Sequence, residues 1–524
     1  MTEMAEVAEM TEMAEVTEMA EMTEVTEMAE MAEVTEMAEM TMMKTLNRTT
    51  AFAAAALACL LVLPLSAQQA PDRSKPPAPG PVPALKLPPI QKRALANGLP
   101  VWIVEMAKVP VVQVNLIVRA GAAADPAGKY GLASFASAML DEGAGTRNAL
   151  ELADAIEFLG ISISTGSSWD ASTVGLFTAV SRLDDALPLM ADVALHPSFS
   201  EAEVERLRQE RLTSLLQQRD NASALASAGF ARMVYGTRHR YGAMAMGNNV
   251  SNGEMTAQEI RAFHAQYYQP QNSHLLVVGD VTPDTILPKL EKSFGGWKNG
   301  ANPAAPVLAA APQHAAKQIY LIDRPGAAQS QIRIGWIGVP RSTPDYYVLD
   351  VLNTVLGGSF TSRLNQNLRE RNGYSYGAGS LFDMRATPGP FYASSGVQTD
   401  RTVESLREFF IELSAIQQPI PAEELERAKN YLSLGFPAGF ETTGSVAAQL
   451  GELVVYGLSE SLFNEYVGRI QAVTVADAQR AASQYIQPDK FAVIVVGDLS
   501  KIEQPIRDAN LGPVRVVPVD DVLK

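Results

Sequence analysis

Two stretches decide the fold: Thr256–Asp280, TAQEIRAFHAQYYQPQNSHLLVVGD, and Thr474–Asp498, TVADAQRAASQYIQPDKFAVIVVGD. They align without a gap at a constant offset of 218 residues. Each reads as an amphipathic helix, a Gln-Pro turn, a buried apolar strand and a Gly-Asp stop. Further matches keep the same order. The charged helix EVERLRQERL from Glu203 corresponds to ELERAKNYL from Glu424, and the strand VVQVNLIVRAG from Val111 to SQIRIGWIGVP from Ser330. Several ordered matches point to duplication, two copies of one α+β unit.

Working outward, a run rich in Pro and Ala, Asn302–Lys317, divides the two copies. In the first copy, Ile161–Ser164 and Thr173–Val180 alternate apolar and polar residues, as half-buried antiparallel strands do. Helices are expected at Arg182–Ala194 and Glu201–Gln218. Paired strands with helices set to one side predict an α+β fold. The expected architecture is two homologous α/β-sandwich domains, residues 93–300 and 318–515, closing as a clamshell around a linker at 301–317.

The 524 residues suffice for two cored domains. The lone cysteine, Cys59, excludes an internal disulfide and a cysteine zinc site. The net charge of −16 comes largely from residues 2–40, thirteen triplets of the form Ala/Thr-Glu-Met/Val. A period of three gives neither a helix nor a strand one apolar face. Residues 1–42 are read as a translated repeat ahead of the true start. Residues 43–67 read as a secretory signal: Lys44 and Arg48, the apolar run Ala51–Leu65, then Leu65-Ser66-Ala67 as cleavage site. Cleavage there removes thirteen glutamates and two bases, so −5 of the −16 remains. Residues 68–92 are a Pro-rich linker. The expected location is periplasmic or secreted, with no stable membrane span after cleavage. No basic patch with interleaved aromatics suggests nucleic acid, and no glycine-rich phosphate loop opens a helix.

Chemistry is sparse. The five histidines, His196, His239, His264, His274 and His314, include no pair at i,i+4. Two imidazoles one helical turn apart are what a His-x-x-Glu-His zinc site needs, so all five are assigned structural or surface roles. One Gly-x-Ser-x-Gly match, Gly373–Gly377 around Ser375, has a helical segment before it and a strand after, the reverse of a nucleophile elbow. No histidine follows His314 to complete a triad.

The segment YGLASFASAMLDEG, Tyr130–Gly143, resembles the metal-binding helix of the pitrilysin/insulinase family of zinc peptidases, Gly-Leu-Ala-His-x-x-Glu-His-Met-Leu. The resemblance puts Ser134 at the first His, Ser137 at the Glu and Ala138 at the second His. The third ligand, a Glu about 75 residues on, falls at or near Ser214. Serine hydroxyls are poor zinc ligands and alanine offers none. Asp141 and Glu142, further along, do not rebuild the site.

The resemblance covers most of residues 90–515, including the turn Pro197–Phe199, both Val-Val-Gly-Asp strands and LGGSFTSRLNQNLRERNGYSYGAGS, Leu356–Ser380. The last is similar to the family's substrate-contact segment, with Arg369 and Tyr376 in the roles of substrate-carbonyl and oxyanion donors. Some family members are heterodimers in which one chain keeps the zinc motif and the other keeps only this pair. The resemblance therefore implies a noncatalytic subunit without a cofactor of its own. Zinc is expected in a homologous partner containing His-x-x-Glu-His, and the substrate is peptide or unfolded polypeptide. It also implies peptide addition along the hairpin Ile161–Val180. The alternative is an inert peptide-binding or scaffold protein with the same fold.

Overall fold

The computed structural model describes residues 80, 87–301, 303–304 and 306–524. The acidic repeat, the signal segment and most of the Pro-rich linker lie outside the described residues. Residues Gly80–Lys524 form one compact unit.

The first copy contains β1 (Gln91–Ala94), β2 (Pro100–Glu105), β3 (Val111–Val118), α1 (Leu132–Ala138), α2 (Ala149–Leu159), β4 (Ser162–Ser167) and β5 (Ser172–Ala179). Then follow α3 (Leu183–Leu195), α4 (Glu201–Gln218), α5 (Ala222–Tyr235), α6 (Asn249–Glu254), α7 (Ala257–Tyr267), β6 (Ser273–Gly279) and α8 (Pro283–Phe294). The second copy begins with β7 (Gln318–Asp323), β8 (Gln329–Ile337), α9 (Tyr346–Leu356) and α10 (Arg363–Asn365), which runs into a π-turn, Gln366–Arg371. It continues with β9 (Ser375–Phe382), β10 (Pro390–Gln398), α11 (Thr402–Ala415), α12 (Ala422–Gly435), α13 (Thr443–Tyr456) and α14 (Ser461–Ala472). It ends with α15 (Val475–Tyr485), β11 (Ala492–Gly497), α16 (Leu499–Asp508), β12 (Val514–Val516) and α17 (Val519–Leu523).

Each copy builds a six-stranded sheet, in the order β1-β2-β6-β3-β5-β4 and β12-β7-β11-β8-β10-β9. The offset found in the sequence governs the pairing register. Val101 faces Leu275 in one sheet and Ile319 faces Val493 in the other. Val114 faces Val277, and Ile332 faces Val495. The sheets are mixed: β2 runs parallel to β6, and β7 parallel to β11 and β12, while the other pairs are antiparallel. The helices α7 and α15 start on capping boxes, Thr256 with Glu259 and Thr474 with Asp477. Each box satisfies backbone donors that the first helical turn leaves unpaired.

The helices of each copy cover one face of its own sheet, as expected for a sandwich. The opposite face is covered by a helix from the other copy. On α5, Leu225, Ala226 and Phe230 join Tyr320, Ile322, Ile494 and Val496 of the second sheet. On α13, Val446, Ala447, Leu450 and Leu453 join Val104, Ile117, Leu276 and Val278 of the first. This exchange explains the unbroken apolar runs in β6 and β11. Leu275 and Val277 face the domain's own core while Leu276 and Val278 lie under the borrowed helix. A strand buried on both faces has no polar side to show. Among the described residues no helix is long and apolar enough to cross a membrane.

Four of the five histidines pack against aromatic rings, and His196 lies close enough to His264 for their charges to interact. His264 stacks on Tyr268 at 4.4 Å between ring centroids, His239 on Tyr235 at 5.1 Å, and His274 meets Trp102 edge-on at 5.8 Å. Burial pushes His264 down to about 4, only partly opposed by its 2.9 Å hydrogen bond with the Ala194 carbonyl. The unfolded chain takes up this proton near the ordinary value of 6.5, and the folded chain only near 4. Stability is therefore full above about 6.5 and is lost as pH falls toward 4, by on the order of 1–3 kcal/mol. The check is urea unfolding at pH 7 and 4.5. The loss should shrink measurably in His264→Gln; an unchanged pH slope assigns it elsewhere.

Candidate functional site

The helix α1 carries the three motif positions, and its N-terminus is fixed before anything else. The Asp125 carboxylate accepts from the backbone N–H groups of Gly131 at 2.7 Å and Ala133 at 2.8 Å, and from Arg240 Nη2 at 2.8 Å. Both ionic side chains are almost completely buried, 0% and 3% exposed. Arg240 also donates to the carbonyls of Ala122, Met244 and Ala245, and lies 4.5 Å from the Tyr130 ring and 5.0 Å from Trp169. Burial pushes the Asp125 carboxyl up and the Arg240 guanidinium down, each against the pull of the other's charge.

Glycine is required here on steric grounds. Gly131 has φ +98°, and a Cβ on it would sit 2.1 Å from the Met246 carbonyl oxygen. Gly131→Ala is expected to cost about 2 kcal/mol or more through strain and displaced backbone. Thermal unfolding tests this; an unshifted midpoint excludes the close approach.

On α1, Ser134 and Ala138 share the half-buried face one turn apart, while Ser137 turns into the core at 1% exposure. The Ser134 hydroxyl donates to the Gly131 carbonyl at 3.0 Å and accepts from Arg211 Nη2 at 2.8 Å. Among the described residues the Ser137 hydroxyl has no hydrogen-bond partner. The helix ends at Ala138, so Asp141 and Glu142 follow it and do not extend it as expected. Burial raises Asp141, helped by the Glu142 charge, although the Thr165 hydroxyl donates to it at 3.3 Å. Glu142 pairs with Arg206, which also holds Glu203 and Glu210.

The buried stripe of α4 is Val204, Leu207, Arg211 and Leu215. The residue that reaches the α1 motif is thus Arg211. Ser214 is half-buried beside that stripe. Counting along the sequence missed Arg211; the stripe at i, i+3, i+7 and i+11 is the signal that finds it. A hydroxyl already committed, a hydroxyl turned into the core, a methyl group and a guanidinium do not fit zinc, whose ligands are thiolate, imidazole and carboxylate. Among the described residues no three His, Cys, Asp or Glu side chains converge on one point.

Arg369 and Tyr376 lie in the second copy and share no hydrogen bond or ion pair with the α1 group among the described residues. Their segment is braced at several points. Arg363 holds Glu424 through two bonds of 2.9 and 2.7 Å. Asn367 donates to Glu408 at 2.9 Å and Glu412 at 2.7 Å, and Asn365 donates to the Phe360 carbonyl at 2.7 Å. The π-turn adds a residue to the helical turn, a distortion frequent at functional sites. From this frame Tyr376, at the start of edge strand β9, is 89% exposed. The Arg369 side chain is 41% exposed, its guanidinium 3.2 Å from Glu370 and 4.7 Å over the Phe360 ring. Ser375, centre of the Gly-x-Ser-x-Gly match, has a buried hydroxyl with no partner among the described residues and a strand after it. The strand β4 is the free edge of the first sheet, with Ser162, Ser164 and Gly166 exposed.

The sequence pattern of "Insulinase (Peptidase family M16)" matches residues 101–236, and that of "Peptidase M16 inactive domain" matches residues 254–432. A protein of Mycobacterium tuberculosis named an uncharacterized zinc protease is 25% identical over 79% of this chain and 94% of its own length. The crystal structure of a peptidase M16 inactive domain from Pseudomonas fluorescens is similar with a TM-score of 0.73 and 26% identity, over 78% of this chain and 98% of that one. A Helicobacter pylori protease shares the fold, with a TM-score of 0.73 and 23% identity over 78% of this chain and all of that one, 100%.

Proposed function

Because the chain belongs to the insulinase family of peptidases, family M16, we propose that it is the noncatalytic subunit of a two-chain zinc endopeptidase. A homologous partner with His-x-x-Glu-His supplies zinc, and this chain supplies Arg369 and Tyr376 to peptide bound at the shared site. The observation that carries this reading is a contrast within one molecule. The zinc-motif positions are filled by groups unfit for a metal, whereas Tyr376 stands exposed on a rigidly braced segment. An exposed aromatic does nothing for the core, so its support has another purpose. The unpaired edge of β4 offers backbone groups to an extended peptide, a mode that tolerates varied sequence. The leader-like residues 43–67 favour a periplasmic or secreted setting.

Copurification with the homologue carrying His-x-x-Glu-His tests the reading. The isolated chain should hold no stoichiometric zinc and cleave nothing, and the complex should cleave unfolded peptides. Peptidase activity with bound zinc in the isolated chain overturns it. The inert-scaffold reading draws on one observation: Arg369 is already engaged by Glu370 and Phe360. It predicts peptide binding without any partner-dependent turnover.

A further inference from the structure

Among the described residues, Arg211 is a buried cation with no carboxylate in its hydrogen-bond set. Its Nη2 donates to Ser134 Oγ at 2.8 Å and to the Met246 carbonyl at 3.0 Å, and its Nε donates to Asn252 Oδ1 at 2.7 Å. The guanidinium carbon lies 4.8 Å from the Phe135 ring. Asn252 is fully buried and is itself fixed through bonds of 2.9 Å to the carbonyls of Met246 and Asn248. The acid whose charge acts on the guanidinium is Asp125, which already holds Arg240. Burial pushes Arg211 down to about 10, so it stays charged at neutral pH.

Neutral acceptors thus converge on a positive charge that touches the first zinc-ligand position. A buried cation is costly unless several hydrogen bonds hold it. Those bonds come from α1, from the turn at Met246 and from α6, so one side chain of α4 links three segments. In a zinc site, a metal shared between α1 and α4 performs that linking. Here one side chain of α4 does it.

We propose that Arg211 is a built-in cation that takes the metal's place: it ties α4 to α1 and, by its fixed charge, keeps a divalent cation out of the site. The loss of the motif is then compensated, and restoring the histidines alone does not restore the metal. The inference concerns the isolated chain and stands whether or not a partner subunit exists.

The test uses the full chain. Ser134→His with Ala138→His puts two imidazoles at i,i+4 on α1, in one version with Arg211 kept and in a second with Arg211→Glu. Zinc affinity is measured by titration and by metal content after dialysis. The Arg211→Glu version should bind zinc at least roughly a hundredfold more tightly, because a repelling charge is replaced by a ligand. Equal affinity in the two versions, whether tight or absent, overturns the exclusion. The tie is read separately in Arg211→Gln without the histidines. Hydrogen exchange of the α1 amides should rise roughly tenfold or more while those of α9 keep their protection. Unchanged exchange in α1 overturns the tie, and protection kept in α9 shows that the variant is folded.

Discussion

Tyr376→Phe in the assembled peptidase is expected to lower kcat by roughly 10²–10³-fold with little change in KM. The argument starts from charge. Attack on a peptide carbonyl develops negative charge on its oxygen, and a preorganised donor at that oxygen is worth more in the transition state than with bound substrate. A phenol near the start of a braced strand suits this requirement: Ser375 and Ala378 on either side of it pair with Val397 and Ser395 of β10, and Tyr376 lies in the bulge between them. Since Tyr376 is 89% exposed, its hydroxyl contributes nothing to the core, and the variant should unfold within about 0.5 kcal/mol of the parent. That combination separates a catalytic loss from a structural one. In the proposed role, Arg369→Ala should raise KM as well, since a guanidinium released from Glu370 would contact ground-state substrate. Steady-state cleavage of an unstructured peptide by complexes of verified stoichiometry is the measurement. Full turnover in Tyr376→Phe removes the proposed role.

The second large effect is on stability. Arg240→Met should destabilise the fold by about 3–5 kcal/mol, since it strands a buried carboxylate. Asp125 would keep its two backbone donors and lose its directly paired counter-charge at 0% exposure. The carbonyls of Ala122, Met244 and Ala245 would lose their shared donor in the same step. Adding Asp125→Asn to Arg240→Met should recover part of the loss, because a neutral amide tolerates burial without a cation. Urea midpoints for the two single variants and the double close the cycle. A loss below about 1 kcal/mol in Arg240→Met shows that the pair does not anchor α1.

Much of the fold is legible in the sequence. The 218-residue offset reappears in the register, where Val101–Leu275 becomes Ile319–Val493. The strands near Ile161 and Thr173 are found one residue from their expected starts, because alternation marks a half-buried surface. The exchange of α5 and α13 is not legible. Their apolar stripes say that each helix is buried but not which sheet receives it, since burial is non-directional. Gly229 hints at a close neighbour only in retrospect: a Cβ there would lie 2.7 Å from Ile322 Cδ1 in the other copy. At the candidate site, the positions on α1 follow from the motif letter by letter. Across 75-odd residues, counting loses the helical phase, and phase is what aims Arg211 at Ser134.

The exchanged helices have a mechanical consequence. Pulling the two halves of this chain apart strips α5 from Ile494 and Val496 and α13 from Leu276 and Val278, wetting both sheets at once. The halves therefore behave as one stiff shell. A fragment ending in the 301–317 linker would leave its first sheet without a roof.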